Sequence, residues 1–336
     1  MPDLVSVLIP AYNAEKWISD TIKSAITQTW LNKELIIVND GSTDNTLSVA
    51  KRFESKSVKV ITQDNCGASA ARNKALSLAQ GNYIQWLDAD DLLAPDKISN
   101  QMQMAEAGHK SLQLFSSAYG VFHYRIGKAE FNPNNIWRDL VPIDWIINNF
   151  SDGTAWMVPA AWLISRKLTE KAGYWDERLS LNDDGEYISR VVLASEQVKF
   201  ISTAQSYYRS TSFTQLSRDN SEKAIQSLFL SLKLCIQHLR SFENSERTRR
   251  ASVALLQMYL HFFYTGKPEL LEKINALASE LGGELIPPNL GWKANLLGKL
   301  VGPKVADKAI VRLRKMRFAT VVKWDEMLSK RENCDG

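Results

Sequence analysis

Apolar runs and amphipathic segments alternate through the first 90 residues, and this alternation restricts the fold more than any other feature of the chain. Val5-Ser6-Val7-Leu8-Ile9-Pro10 is a β-branched run closed by proline, the pattern of a strand buried on both faces. Glu34-Leu35-Ile36-Ile37-Val38-Asn39, Val58-Lys59-Val60-Ile61 and Asn82-Tyr83-Ile84-Gln85-Trp86-Leu87 repeat it. Between them, residues 14–29 carry Trp17, Ile18, Ile22, Ala25 and Ile26 on one helical face. A second helix ends near Phe53, and a third runs from Gly67 to Leu78 with Gly81 beyond it. Strands separated by helices predict βαβ units and a parallel sheet, with ligands outside the carboxyl ends of the strands. Tyr12-Asn13, Asp40-Gly41 and Asp88-Ala89-Asp90 all fall at such ends and should converge on one crevice.

The last of these groups is chemically the most demanding. Asp88, Asp90 and Asp91 are three carboxylates within four residues at the end of a buried strand. Like charges so close repel and need a cationic partner. A hard divalent ion, Mg²⁺ or Mn²⁺, that also carries substrate phosphates fits an all-oxygen site of this kind. The alternative is a solvated acidic turn before the helix that begins near Pro95-Asp96-Lys97.

After a helix near 96–107 the pattern changes. Residues 112–126 alternate like antiparallel strands, 142–150 fit a short helix, and 166–172 are helical. Asn182-Asp183-Asp184-Gly185-Glu186-Tyr187 opens a helix running to about Ala194, followed by two short strands near 198–201 and 205–209. From Ser221 the chain reads as helices over 221–242, 246–264 and 267–281, and a last one from about 303.

The motifs together resemble family 2 glycosyltransferases of the GT-A fold. The resemblance rests on Val5-Ser6-Val7-Leu8-Ile9-Pro10-Ala11-Tyr12-Asn13, Val38-Asn39-Asp40-Gly41-Ser42-Thr43-Asp44, Asn65-Cys66-Gly67-Ala68-Ser69-Ala70-Ala71-Arg72-Asn73 and Leu87-Asp88-Ala89-Asp90-Asp91. Gly173-Tyr174-Trp175-Asp176-Glu177-Arg178-Leu179 and Asp183-Asp184 resemble the family's later landmarks, so the likeness covers roughly 4–210. It implies a Rossmann-like, mostly parallel sheet flanked by helices, with a helical carboxy-terminal extension. The expected division is a glycosyltransferase domain over 1–215, split into a nucleotide-sugar half (1–110) and an acceptor half (111–215), and a helical region over 216–336.

The same resemblance implies a nucleotide-sugar donor, a Mn²⁺ or Mg²⁺ ion and inverting transfer. The nucleotide is expected at Pro10, Tyr12, Asn13, Asp40, Gly67, Arg72, Asp88 and Ala89. Tyr12 would lie against the base, and Asp40 would accept from the imide N–H of uracil, an edge that thymine shares. Arg72 would pair with Asp40 or with a diphosphate oxygen, a structural ion pair being the alternative. Asp88 is expected at the ribose, Asp90 at the metal, and Asp91 in a capping or supporting role. Asp184 is expected to be the general base; Asp183 replaces the family's usual Glu, and with Trp156 it is placed at the acceptor. The rival roles are helix capping for Asp40, helix N-terminal charge for Asp183-Asp184 and core packing for Trp156.

Two rival functions share this fold. A nucleotidyltransferase would need a glycine-rich basic loop after the first strand, and Ala11-Tyr12-Asn13-Ala14-Glu15 has neither feature. A silent binding module would not need carboxylates at 40, 88, 90 and 184. A processive synthase is disfavoured because no run approaches the roughly 18 apolar residues of a membrane span. Met1-Pro2-Asp3-Leu4-Val5 lacks a basic region and a cleavage site, so no signal peptide is expected. Cys66, Cys235 and Cys334 lie far apart and suit a reducing cytoplasm, and His109, His123, His238 and His261 are scattered. The expected partners are a UDP-sugar and a saccharide or lipid-linked acceptor of a bacterial-type cell envelope, with no nucleic acid.

The tail is the basic part of the chain. Residues 293–317 hold eight Lys or Arg (Lys293, Lys299, Lys304, Lys308, Arg312, Arg314, Lys315, Arg317) against Asp307. Over 303–324, Val305, Ala306, Ala309, Ile310, Leu313, Met316, Thr320 and Trp324 fall on one helical face. A basic amphipathic helix of this kind suits peripheral contact with an anionic inner membrane surface, packing on the domain being the alternative.

Overall fold

The structure, a computed structural model, describes residues 2–108, 112–153, 156–211, 221–264, 268–287 and 303–332, the side chains of 303–311 and 314 excepted. His109, Cys334, Lys293, Lys299 and the tail side chains expected to matter at 304–310 and 314 lie outside the described residues.

A nine-stranded sheet organises the chain. Strand β1 (Val5–Ala11) pairs in parallel with β2 (Lys33–Asp40) on one side and β4 (Tyr83–Trp86) on the other, and β2 pairs in parallel with β3 (Val58–Gln63). The order reverses between β1 and β4, so a crevice opens at their carboxyl ends. The sheet continues through β8 (Leu163–Ser165), β6 (Gln113–Phe122), β9 (Gln197–Arg209) and the two-residue β5 (Leu92–Leu93), with β7 (Glu130–Phe131) on β6.

Both faces of β1, β2 and β4 are buried, which is why these strands are nearly continuously apolar, whereas β3 at the sheet edge leaves Lys59 and Thr62 exposed. Leu8, Ile36, Val38, Ile84 and Trp86 point to one side, where α3 (Ala68–Leu78) packs through Ala71 and Ala75. Val7, Ile9, Leu35 and Ile37 point to the other, against Ile18, Ile22 and Ala25 of α1 (Ile18–Ile26). Helices α2 (Thr46–Lys51) and α4 (Lys97–Ala107) flank the first half, and α5 (Pro142–Ser151), α6 (Arg166–Ala172) and α7 (Asp183–Ala194) the second. The long helices α8 (Glu222–Phe242) and α9 (Glu246–Tyr264) pack on α7 and α5, and α10 (Pro268–Glu280) packs on α9 and α8. Ile225, Leu228, Leu232 and Leu256 share one apolar core with Trp86 and Tyr187. The last described helix, α11 (Pro303–Glu332), docks on the loop after β6.

Three expectations change. The first helix starts at Ile18 rather than Ala14, because Asn13 takes a left-handed conformation with φ of 48° and the chain turns before winding up. Residues 112–126 do not form a pair of antiparallel strands: β6 is one strand, parallel to β9 and antiparallel to β8 and β7. The two short strands near 198–201 and 205–209 are one strand, whose register slips where Ser117 faces Ile201 and Ala118 faces Gln205. That bulge lets a polar Ser202-Thr203 step interrupt the apolar pattern without ending the strand.

Candidate active site

The strand ends converge as the alternation predicts. A cleft of about 1040 Å³ opens there, and every one of the twelve residues singled out from the sequence lines it. Pro10, Tyr12 and Asn13 come from the end of β1, Asp40 from β2, Gly67 and Arg72 from the start of α3, and Asp88, Ala89 and Asp90 from the turn after β4. Trp156, Asp183 and Asp184 come from the second half of the sheet.

At the β1 end Tyr12 is 51% exposed, at the mouth of the cleft. Asn13 ties two loops together: its Oδ1 accepts from the Thr43 N–H at 2.8 Å, and its own N–H donates to Ser42 Oγ at 3.0 Å. Asp40 is only 2% exposed. Its Oδ1 accepts from Gln63 Nε2 at 2.8 Å and from the Cys66 N–H at 2.9 Å, and its Oδ2 accepts from the Gly67 N–H at 2.9 Å. Asp40 therefore shapes the 65–67 loop rather than capping a helix; at the start of α2 it is Asp44 that accepts from the Thr46 N–H, at 2.9 Å. Gly67 sits at φ of 94°, a backbone that side chains disfavour, and so carries the chain from this loop into α3.

Arg72 does not reach Asp40. Its Nη1 bonds Asp183 Oδ2 at 2.7 Å and its Nη2 bonds Asp88 Oδ1 at 2.8 Å, so one buried guanidinium joins the turn after β4 to the start of α7. It lies 4.3 Å from the centre of the Trp175 ring. Trp175 in turn stacks on Tyr187 at 4.1 Å, and both meet Trp86 edge-on. A planar cation between two carboxylates and over an indole is a position that Arg fills and Lys does not. Asp183 Oδ2 accepts from Arg72 and from Ser69 Oγ at 3.0 Å and the residue is itself buried, so it braces Arg72.

The turn after β4 is held from behind. Arg209, at the end of β9, donates through Nε to the Asp90 carbonyl at 2.8 Å, and its N–H donates to Asp91 Oδ1 at 2.9 Å. Its guanidinium packs over Trp17 and Phe122 at 4.3 and 4.5 Å. Asp91 is fully buried; burial and the neighbouring Asp90 and Asp88 push its carboxyl well above the usual range. It anchors the turn to β9 and does not cap α4. Asp88 and Asp90, both partly exposed, are left facing the cleft.

Asp184 opens α7. Its Oδ1 accepts from the Gly185 N–H at 2.8 Å. Burial, with Asp183 and Asp88 close by, pushes its carboxyl up to about 7, against the opposing pull of Arg72. A carboxyl that titrates near neutrality serves as a proton acceptor for a hydroxyl.

The residue before this pair fixes where it points. Among the described residues, Asn182 (φ of 59°) and Asn13 are the only non-glycine residues with positive φ. Asn182 is held by α8 and α9: Ser231 Oγ donates to its carbonyl at 2.7 Å, its Nδ2 donates to Ser231 Oγ at 2.8 Å, and Tyr259 OH donates to its Oδ1 at 3.2 Å. Ser227 Oγ accepts from the N–H groups of Ser180 and Leu181 at 2.7 and 3.1 Å. Asn182→Ala removes the two side-chain bonds, to Ser231 and Tyr259, and the local tolerance for a left-handed backbone. Turnover is expected to fall about tenfold or more with the donor dissociation constant unchanged, as steady-state kinetics beside calorimetry would show.

Trp156, also on the cleft wall, is 43% exposed. Tyr119 and Tyr208 hold it at 4.8 and 5.2 Å, and Tyr119 OH donates to its carbonyl at 2.8 Å. Beyond Asp184 the cleft continues between Trp145 and Phe150 of α5 and Met258 and Phe262 of α9.

Sequence reasoning missed Arg209, Ser227, Ser231, Tyr259 and the role of Trp175. The two serines left a signal: they stand four residues apart on the buried face of α8, where polar side chains need partners. Nothing local distinguishes Arg209 at the end of a strand.

The sequence model described as Glycosyl transferase family 2 matches residues 6–172. GlyA of Streptococcus pneumoniae, a glycosyltransferase, is 29% identical over 217 residues, which cover 62% of this chain and 30% of GlyA. WfaP of Escherichia coli, a UDP-Glc:α-D-GlcNAc-diphosphoundecaprenol β-1,3-glucosyltransferase, is 43% identical over 105 residues, 31% of this chain and 42% of WfaP. The chain thus spans less than half the length of these curated relatives. The fold is of the GT-A type: S. aureus TarS 1–349 in complex with UDP-GlcNAc superimposes with a TM-score of 0.65 at 16% identity, covering 96% of this chain and 91% of that one.

Proposed function

Because the chain belongs to glycosyl transferase family 2, we propose that it is an inverting, metal-assisted glycosyltransferase that moves a sugar from a UDP-sugar to a glycan or lipid-linked saccharide of the cell envelope. The observation that carries this reading is the meeting of Asp88, Asp90 and Asp184 in one cleft, with Asp184 titrating near 7. Residues 1–110 would hold the donor and 111–215 the acceptor, with the helices after 216 supporting the base.

The base of the nucleotide lies between Tyr12 and the 65–67 loop that Asp40 shapes. Three of the roughly four acceptor positions of the Asp40 carboxylate take donors from Gln63 of β3 and from the Cys66 and Gly67 N–H groups, and the imide N–H of uracil takes the remaining one. The names of WfaP and of the TarS complex, UDP-Glc and UDP-GlcNAc, favour uridine as the nucleoside. Asp88 faces the ribose, with Arg72 holding its carboxylate in place.

The donor set suits a hard divalent ion shared with the substrate. Among the described residues no three His, Cys, Asp or Glu converge into a cage, so the protein offers one or two carboxylates at 88 and 90. Mg²⁺ and Mn²⁺ accept such a site when phosphate oxygens complete the shell. When bound, the ion neutralises charge on the departing diphosphate. Arg209 keeps the Asp90 backbone fixed for that contact. Asp184 takes the proton of the acceptor hydroxyl as its oxygen bonds to the anomeric carbon and the bond to the nucleoside diphosphate breaks. Attack from the face opposite the nucleotide inverts the configuration. Trp156 lies under the acceptor sugar, since an aromatic face suits sugar C–H groups. An acceptor of the diphosphoundecaprenol type would bring the enzyme to the inner membrane surface.

Calorimetry with UDP tests the donor site. The wild-type protein should bind UDP in Mn²⁺, with weak affinity for either component alone. Asp90→Ala should abolish the gain that Mn²⁺ confers. Undiminished metal-dependent affinity in that variant would remove Asp90 from the metal.

A further inference from the structure

The carboxy-terminal helix is fastened to the domain by its acidic side. Arg125 Nε bonds Asp325 Oδ1 at 2.7 Å and its Nη1 bonds Glu332 Oε1 at 2.9 Å. The Tyr124 and Arg125 N–H groups donate to Asp325 Oδ2 at 2.9 and 3.2 Å. Phe318 meets the His123 ring edge-on at 5.5 Å, Val322 is buried, and Glu326 bonds Lys330 at 2.8 Å beside Tyr124. Every acidic side chain described on α11 is therefore engaged, either against the domain or with a neighbouring lysine.

The opposite face holds Leu313, Met316, Thr320, Trp324 and Met327, spaced three, four, four and three residues apart. All are exposed, Leu313, Met316 and Trp324 by 60% or more. Arg312, Arg317, Lys323 and Arg331 are exposed beside or along this stripe. Internal packing accounts for one face of the helix and leaves the apolar one in water.

The geometry points to this stripe as a docking surface for an anionic lipid bilayer, entered by Leu313, Met316, Trp324 and Met327 and flanked by arginine and lysine at the headgroups. Charge decides against a second copy of the chain. A two-fold contact along the stripe would set basic side chains against basic side chains, since the described acids Asp325, Glu326 and Glu332 are already paired with Arg125 and Lys330. An anionic headgroup layer complements both parts of the surface. The latch at Arg125 makes the helix a fixed foot rather than a loose tail, so docking sets the orientation of the cleft. The purpose of docking rests on the proposed lipid-linked acceptor; the binding itself is read without donor, acceptor or turnover.

Full-length protein is co-sedimented with vesicles of phosphatidylglycerol and phosphatidylcholine, and with phosphatidylcholine alone. Binding is expected only to the anionic vesicles, and it should weaken at least about tenfold between about 0.1 M and 1 M salt, as the Debye length falls from about 10 Å to about 3 Å. Met316→Glu with Trp324→Glu, both exposed and distant from the latch, should lower binding at least about tenfold with an unchanged melting temperature. Arg317→Glu with Lys323→Glu should do the same and flatten the salt dependence. No sedimentation at low salt, equal binding to neutral vesicles, or unchanged binding in the stripe variant overturns the proposal. A dimer in light scattering that the stripe variant dissociates also overturns it and assigns the face to a second copy.

Discussion

Asp184→Asn is expected to retain donor affinity and to lower turnover by about 10²–10⁴. The amide keeps the shape of the side chain and its contact with the Gly185 N–H but has no site for the proton of the acceptor hydroxyl. The pH profile supplies a second reading of the same variant. Asp184 must be ionised to act, and burial beside Asp183 and Asp88 sets its carboxyl at about 7, so wild-type turnover should rise as pH climbs through 7 and level off above it. That limb should vanish from the residual activity of Asp184→Asn. Stability should move the other way. A carboxyl held above its ordinary value is protonated in the folded state where the unfolded chain has already released its proton. The folded state therefore loses stability as pH rises from the ordinary carboxylate range to about 7. Asparagine has no proton to lose, so the variant should gain on the wild type over that window. Near-normal transfer, or an intact pH limb in the variant, would place the base at another residue.

Arg72→Met is expected to cost about 3–5 kcal/mol of stability, because removing the shared cation leaves the buried Asp183 carboxylate without its partner. Asp88 loses its brace at the same time, and Trp175 loses the guanidinium over its ring. Urea denaturation measures the loss. Arg72→Lys should recover only part of it, since one ammonium cannot hold both carboxylates in the geometry of the guanidinium. Because Arg72 holds the Asp184 carboxyl down, its loss should also move the rising limb of the pH profile upward in whatever fraction remains folded. A loss under about 1 kcal/mol would mean the pair is solvated like a surface bridge.

The part of the cleft at the ends of β1, β2 and β4 was legible in the sequence because local rules write it. Buried strands end in polar turns, and parallel pairing carries Tyr12, Asp40 and Asp88 to the same edge. What those residues bond was not legible. The partner of Asp40 turned out to be a loop 25 residues on, and the partners of Arg72 lie 16 and 111 residues away. A side chain with two plausible partners in sequence is assigned by three-dimensional distance alone. The same limit hid Arg209, whose hold on Asp90 and Asp91 crosses about 120 positions. It also turned one bulged strand at 197–209 into two, since a bulge and a break share the same polar interruption. In the tail, spacing showed an apolar stripe; only the Arg125 latch shows that the stripe faces outward.

The joining of β4 to β8, and of β6 to β9, sets an order of assembly. The first four strands meet neighbours close in sequence and can collapse while later residues are still being made. Gln113 must wait for Gln197 before β6 acquires its parallel neighbour, and Tyr83 must wait for Ser165 before the open side of β4 is covered. A nascent chain halted between these points would present the unpaired backbone of β4 to any other strand, the usual beginning of aggregation. The slow step of maturation should therefore be the closing of the second half of the sheet over β4, with the ends of β1, β2 and β4 already shaped.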